Sequence, residues 1–211
     1  GTGRVDVEMK EGRESYPMIV LASGSPRRSR MLEALGWQFV TEVPDIDEII
    51  LPGEKTEDAV VRLALEKALE VAKKQPKSLV IAADTVVRLE DEVLGKPADR
   101  SEAFDILTRL SGRTHEVFTG VAVVSEKRKA SGYERTFVEF RQLSPDAIEA
   151  YLDCNDSYDK AGAYGIQEKG SLLVQSIRGC YFNVVGLPLF RLSCLLEELG
   201  LHLETQWRMG I

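Results

Sequence analysis

The chain has 211 residues, of which 44% are hydrophobic and 29% are charged. These values are ordinary for a folded domain and exclude a disordered chain, a collagen-like repeat and a disulfide scaffold. Its 27 Lys and Arg residues against 34 Asp and Glu residues give a net charge of −7, which repels a nucleic-acid backbone at long range. No run approaches the ~18 consecutive apolar residues that span a bilayer. We therefore expect neither a nucleic-acid nor a membrane partner.

In the first half of the chain, short apolar runs alternate with helical periodicity. Residues 18–22 form a continuous apolar run, typical of a strand buried on both faces, and Pro26 then marks the start of a helix that Gly36 ends. A second helix is predicted over residues 56–74. A strand over 78–89, a short strand over 92–94 and a helix over 101–111 follow.

The second half mixes helices with paired strands. Residues 117–124 and 132–140 predict two paired strands around a charged turn, and Ser144-Pro145 opens a helix that runs to about residue 153. Residues 172–177 and 181–185 predict a hairpin, and residues 188–199 predict the final helix. This order indicates an α/β protein with a mixed, partly antiparallel sheet flanked by helices.

The segment from Ser23 to Arg28 is a candidate anion site. A strand that turns through glycine into a helix N-terminus presents free N–H groups and the positive end of a dipole. Ser23 and Ser25 add hydroxyl donors, and Arg27 and Arg28 add forked donors that suit phosphate. An ordinary Ser-Pro helix cap with two solvated arginines explains the same residues about as well.

Carboxylates and lysines offer a second type of chemistry. Asp84 follows a buried strand, where it could hold Mg²⁺, act as a general base or merely cap the strand end. Glu48 lies in an acidic loop with Asp45 and Asp47, which is more often a solvated loop than a metal ligand. Lys67 lies near the apolar face of the second helix. Lys96 lies in a rigid Gly-Lys-Pro turn.

A third segment, residues 159–167, is rich in small residues that let a backbone approach a ligand closely. Asp159 and Lys160 stand at one end, and Gln167 stands at the other, where its amide could pair with a nucleobase edge. A tight structural turn is the competing interpretation. The two histidines have no metal-ligand spacing, and no nucleophile–base order is evident, so metal-assisted hydrolysis is favoured over nucleophilic catalysis.

Taken together, these segments resemble the Maf (septum-formation) family of nucleoside triphosphate pyrophosphatases. The resemblance runs from about residue 18 to residue 199. The matching pieces are LASGSPRR (21–28), RLALEKA (62–68), AADTVV (82–87), LGKP (94–97), LSGRTHEVFTGVAV (110–123), DKAGAYGIQ (159–167) and NVVGLP (183–188). It implies a sheet split between two lobes with a central cleft, as in related inosine triphosphatase-like folds.

The resemblance also implies the domain organisation and the assembly. Residues 18–200 would form a single catalytic domain of two lobes, residues 1–17 an N-terminal extension and residues 201–211 a C-terminal tail. A homodimer is implied as well. The sparse cysteines, with no C-x-x-C pair, are typical of a reducing compartment, so we expect a cytoplasmic protein.

The implied reaction splits a nucleoside triphosphate between its α and β phosphates to give a monophosphate and pyrophosphate. The AGAYGIQ form resembles the branch acting on dTTP, UTP and modified pyrimidine nucleotides. In the resulting hypothesis, Mg²⁺ or Mn²⁺ binds Asp84 and Glu48, and either carboxylate activates water. Charge on the triphosphate is neutralised by Arg28, Lys67 and Lys96, while Thr85 and Gln167 read the base.

The sequence is also compatible with two alternative functions. One is a nucleotide-binding regulator of cell division with little turnover. The other is a pyrophosphatase for 7-methyl-GTP or damaged purine nucleotides. A panel of triphosphates separates all three.

Overall fold

The structure is a computed structural model that describes residues 8–10, 13–154 and 157–209. The chain divides into two compact units. Among the described residues, unit 1 comprises those within Gly1–Asp84, Gly120–Tyr133 and Gly186–Ile211, and unit 2 comprises those within Thr85–Thr119 and Glu134–Val185.

The predicted α/β class with a mixed sheet is confirmed. The helices are α1 (Pro26–Ala34), α2 (Thr56–Lys74), α3 (Arg100–Leu110), α4 (Pro145–Cys154), α5 (Tyr181–Val185), α6 (Leu189–Glu198) and α7 (Leu203–Arg208). The strands are β1 (Glu8–Lys10), β2 (Arg13–Ser15), β3 (Ile19–Leu21), β4 (Phe39–Thr41), β5 (Leu79–Leu89), β6 (Glu92–Leu94), β7 (Thr114–Val124), β8 (Lys129–Phe140) and β9 (Val174–Arg178). Two 3₁₀ helices cover Ala161–Ala163 and Glu168–Leu173.

Seven strands form one sheet in the order β4-β3-β5-β7-β8-β9, with β6 paired to β5. Strand β3 runs parallel to both β4 and β5, whereas β5–β6 and β8–β9 are antiparallel. Strands β1 and β2 form a separate antiparallel pair. Among the helices in the described part of the chain, none is both long enough and apolar enough to cross a membrane.

Small residues let helix α2 pack closely on the strands of unit 1. Its buried face, which includes Ala64, Ala68 and Val71, joins a cluster with strand residues such as Val20 and Ala82. The approach is closest at Gly120, where an added Cβ would lie 2.0 Å from the carbonyl oxygen of Val60. Only glycine therefore fits at that contact, and the position of α2 along the sheet is fixed.

The C-terminal part of unit 1 corrects one prediction. Helix α6 is not the final helix, because α7 follows it. The side chain of Gln206 on α7 is buried and donates hydrogen bonds to the carbonyl oxygens of Ser193 and Leu201, at 3.0 and 2.9 Å. The indole N–H of Trp37 donates to the Gln206 carbonyl at 2.8 Å. These contacts, of which the one to Trp37 is distant in sequence, hold a helix too short to show a periodic pattern.

Unit 2 corrects another prediction, since the hairpin expected over residues 172–185 is wrong. Strand β9 pairs with β8 instead, and residues 181–185 form helix α5. The reason is a buried set of hydrogen bonds on Asn183, which is fully buried and bonds to strand β7 through both its side chain and its carbonyl. An apolar run with such a central amide was ambiguous between strand and helix.

Candidate functional site

The N-terminus of helix α1 in unit 1 is built from the predicted Ser-Gly-Ser-Pro segment. Ser25 is the N-cap residue, and its hydroxyl accepts from the backbone N–H of Arg28 at 3.4 Å. Pro26 occupies the first helical turn, where its missing N–H costs nothing. The Ser23 hydroxyl, which is buried, accepts from the backbone N–H of Ser25 at 3.1 Å. The segment is therefore an ordered helix start with two serine hydroxyls beside it.

Arg28 is held on this turn by bonds to both sides of its guanidinium group. Its Nε donates to the carbonyl oxygen of Gly186 at 2.6 Å, and its Nη1 donates to the hydroxyl of Ser23 at 3.4 Å. Burial is the main cause that lowers the pKa of Arg28 to about 10, and the charge of Asp84 acts in the opposite direction. The group stays protonated at neutral pH. A fixed, partly desolvated cation of this kind suits an anionic ligand.

Arg27 lies one residue earlier on the same turn and is half-buried. Its charge contributes to lowering the pKa of Arg28, so the two guanidinium groups repel one another. The charges of Asp84 and Glu48 act on Arg28 in the opposite direction. Two guanidinium groups on the first turn of a helix suit an anionic ligand, and the anion site stays a prediction.

Lys67 brings two of the predicted carboxylates together. It is 6% exposed on the inner face of α2, and its Nζ lies 2.8 Å from Asp84 Oδ1. The same ammonium group also forms an ion pair with Glu48 and a weaker bond to the Ala83 carbonyl at 3.4 Å. Asp84 is 7% exposed, whereas the Glu48 side chain is 46% exposed. A buried lysine thus links a buried carboxylate to an accessible one.

The donor set fits a divalent cation that also binds substrate. Within the described ranges, no group of three or more His, Cys, Asp or Glu residues could hold a metal. Asp84 and Glu48 supply two carboxylates that already converge on a single positive charge. Mg²⁺ typically uses one or two carboxylates together with phosphate oxygens and water. These residues therefore suit a metal whose other ligands come from a triphosphate.

Unit 2 contains the remaining predicted residues. The backbone N–H of Gly162 donates to the carbonyl of Gly95 at 3.2 Å, which brings the 159–167 segment against the turn that carries Lys96. An ion pair of 2.8 Å joins Lys160 to its neighbour Asp159. Lys96 and Gln167 are exposed, as is Asp159. Two segments singled out separately in the sequence are therefore neighbours.

Thr85 is half-buried in unit 2, and its hydroxyl lies 2.9 Å from that of Thr119. Thr119 is fully buried and bonds to the carbonyl of Asn183 at 3.0 Å. Thr119, Asn183 and the Gly186 carbonyl that binds Arg28 are not among the residues predicted from the sequence. All three lie in the VFTG and NVVGLP pieces quoted for the resemblance. The residue type alone, however, does not show which hydrogen bonds a threonine or an asparagine forms.

The fold and the site together define a class of protein. The molecule is an α/β protein in which a helix N-terminus, a desolvated arginine and a lysine-linked pair of carboxylates lie in one unit, a combination suited to a polyanion and a divalent cation. The model of the family described as Maf-like protein matches residues 18–199. The chain therefore belongs to the Maf family.

Two relatives of about half-identical sequence carry the same name. The "dTTP/UTP pyrophosphatase" of Clostridioides difficile (strain 630) is 51% identical over 182 residues, which cover 85% of this chain and 94% of that protein. The protein of the same name from Acetivibrio thermocellus is 50% identical over 191 residues, covering 86% of this chain and 95% of the relative. Among solved structures, the Staphylococcus aureus Ham1 protein aligns with a TM-score of 0.42 and 16% identity, over 58% of this chain and 71% of that one.

Proposed function

We propose that this protein hydrolyses dTTP and UTP between the α and β phosphates, releasing the nucleoside monophosphate and pyrophosphate, and so clears unwanted nucleotides from the cell. Relatives of about half-identical sequence that are named dTTP/UTP pyrophosphatase support the substrate class. The observation that carries the proposal is the linked set in unit 1. There, buried Lys67 forms ion pairs with both Asp84 and Glu48, and the negative charge of Asp84 raises the pKa of Arg28.

In this proposal the triphosphate is held by positive charge and by N–H groups. The start of helix α1 offers backbone donors and the positive end of its dipole. Arg28 keeps its guanidinium group in place through the Gly186 carbonyl, so little side-chain entropy is lost when phosphate binds. Arg27 adds a second charge beside it. A net acidic protein can thereby bind a polyanion locally.

Asp84 and Glu48 would hold Mg²⁺ or Mn²⁺ together with phosphate oxygens. When bound, such an ion would neutralise charge that builds up on the phosphates during the reaction. Lys67 already balances the two carboxylates, and its three N–H donors allow it to turn toward phosphate while it still contacts one of them. Metal dependence is thus a direct expectation of the donor set.

Asp84 is proposed as the general base. Its carboxylate is buried and fixed by Lys67, so one oxygen can accept a proton from a water molecule placed near the α-phosphorus. Attack of that water releases pyrophosphate, whose charge the lysine and arginine side chains stabilise. Nothing in this scheme needs a covalent intermediate.

The predictions for unit 2 complete the proposal. Lys96 would neutralise phosphate charge, and Thr85 and Gln167 would read the base, with Asp159 and Lys160 as further substrate contacts. These roles rest on the sequence resemblance. The homodimer and the cytoplasmic location remain predictions too, and sedimentation analysis tests the first of them.

A nucleotide panel tests the proposed function. Pyrophosphate release is measured from dTTP, UTP, CTP, 7-methyl-GTP and ITP with Mg²⁺, with Mn²⁺ and with EDTA. We expect dTTP and UTP to give the highest kcat/KM, and EDTA to abolish turnover. Asp84→Asn should lower kcat by at least about 100-fold, whereas Asp58→Asn, an exposed carboxylate on α2, should not. No turnover with any nucleotide would favour a binding regulator, and a preference for 7-methyl-GTP or ITP would favour the purine alternatives.

A further inference from the structure

A line of hydroxyl groups in unit 2 ends at the residue predicted to read the base. The hydroxyl of Thr85 lies 2.9 Å from the hydroxyl of Thr119. Thr119 is fully buried on β7, and its hydroxyl donates to the carbonyl oxygen of Asn183 at 3.0 Å. The chain of hydrogen bonds therefore runs from the half-buried hydroxyl of Thr85 to the buried backbone carbonyl of Asn183.

The direction of the hydrogen bonds follows from counting protons. A threonine hydroxyl has one proton and two acceptor positions. A carbonyl oxygen only accepts, so the proton of Thr119 is used on Asn183. The bond between the two threonines must then use the proton of Thr85. Toward any further group, the hydroxyl of Thr85 can act only as an acceptor.

Asn183 is itself fixed by two side-chain bonds. Its Nδ2 donates to the carbonyl of Val117 and to the hydroxyl of Thr136, both at 3.0 Å. Since the Val117 carbonyl only accepts, the amide nitrogen must face it. The Thr136 hydroxyl in turn donates to the carbonyl of Cys180 at 2.9 Å. Helix α5 is therefore bound at several points, and the Asn183 carbonyl stays opposite Thr119.

We propose that Thr119 is a positioning residue that fixes the Thr85 hydroxyl as an acceptor for the N3–H group of uracil and thymine. The inference rests on the proposed function, in which Thr85 contacts the base. Uracil and thymine both carry a proton on N3, whereas N3 of cytosine is an acceptor. A hydroxyl that can rotate could donate to cytosine or accept from uracil and thymine. A hydroxyl whose proton is already used in another hydrogen bond can only accept, so it favours uracil and thymine.

The test compares three nucleotides that differ at N3. Pyrophosphate release is measured from UTP, from CTP and from 3-methyl-UTP, in which the N3 proton is replaced by a methyl group. Thr85→Val should lower kcat/KM for UTP about 10-fold and change the values for CTP and 3-methyl-UTP less than about 2-fold. This pattern would show that the loss of kcat/KM depends on the N3 proton of the base and not on a disturbed fold.

Thr119→Val tests the positioning role because it removes the acceptor for the Thr85 proton. The freed hydroxyl can then donate, so the ratio of kcat/KM for CTP over UTP should rise about 5- to 10-fold. Thr119→Ser keeps the hydroxyl and should restore the ratio. Thr108→Val, which removes an exposed hydroxyl bonded to the Phe104 carbonyl, is the matched control and should leave the ratio unchanged.

The outcomes separate the two proposals. If wild-type protein releases no pyrophosphate from UTP, the proposed function fails. If it does, but the threonine variants lower all three nucleotides by the same factor, the positioning role is overturned while the function stands. Melting curves of each variant identify losses that come from misfolding, and Thr119→Ser provides the selectivity measurement if the valine variant does not fold. In that case a ratio that differs from wild type contradicts the role of the hydroxyl.

Discussion

The buried ammonium group of Lys67 offers the sharpest test of how unit 1 is built. The substitution Lys67→Met keeps a side chain of nearly the same length and removes its positive charge. Asp84, which is 7% exposed, then loses the partner at 2.8 Å that offsets its burial. Glu48 also loses this partner, but its side chain is 46% exposed and water can solvate it.

The size of the effect follows from that difference in burial. Breaking a buried ion pair by removal of one partner costs about 3–5 kcal/mol, because a buried charge remains uncompensated. The exposed Glu48 pair adds at most about 1 kcal/mol, since solvent screens it. We therefore expect Lys67→Met to lower the free energy of unfolding by about 3 kcal/mol. The double variant Lys67→Met/Asp84→Asn should recover part of this loss, because the orphaned charge is gone.

Urea unfolding followed by circular dichroism measures both changes. With a slope of about 3 kcal/mol per M, the urea midpoint of Lys67→Met should fall by about 1 M. Lys74→Met is the matched control, since Lys74 lies on the same helix with its side chain 56% exposed and pairs with Glu70 at 3.4 Å. It should shift the midpoint by less than about 0.2 M. Equal urea midpoints for the two variants would show that the buried ion pair does not stabilise the fold.

Three other perturbations test separate parts of the structure. Arg28→Lys loses the forked donor and should raise KM for UTP about 10-fold, whereas the exposed Arg30→Lys should not; equal KM values would contradict this. Burial lowers the pKa of His115 to about 4, below the ordinary 6.5, so the folded state binds fewer protons between those values. Wild-type stability in urea should therefore fall by about 3 kcal/mol as pH drops from about 6.5 to 4, and His115→Gln should lose clearly less. Gly120→Ala, whose Cβ would lie 2.0 Å from the Val60 carbonyl oxygen, should lower the free energy of unfolding by about 3 kcal/mol, and an unchanged Tm would contradict the close packing.

Local signals explain why much of the fold could be predicted from the sequence. Helix α2 begins and ends where the periodicity placed it, and α1 begins at Pro26 as the Ser-Pro pair indicated. Gly36, with a φ of +78°, ends α1 in the left-handed conformation that glycine adopts readily. Each of these features depends on residues within about one turn of one another.

The missed elements depend on distant contacts. Strand β4 has three residues and, among the described strands, pairs with β3 alone, so it left no alternating pattern to detect. Helix α5 was predicted as a strand because its apolar letters fit both structures, and the buried bonds of Asn183 decide between them. Helix α7 is held by Trp37, which lies far earlier in the chain.

In the candidate site, too, local features could be predicted and distant contacts could not. Asp84, Lys67 and Glu48 were selected as residue types in suggestive positions, yet only the packing of α2 reveals that they form one linked set. Thr119 could not be selected, because a threonine in an apolar strand usually has no more than a packing role. Its importance lies in the direction of its hydrogen bond, which requires the position of a carbonyl 64 residues away.

In the proposed reaction, water attacks the α-phosphorus of a pyrimidine nucleoside triphosphate. Hydrolysis of UTP in water enriched in ¹⁸O, with the products analysed by mass spectrometry, tests it most directly. We expect one ¹⁸O atom in UMP and none in pyrophosphate. Label in pyrophosphate, release of UDP and inorganic phosphate, or no hydrolysis at all would contradict it.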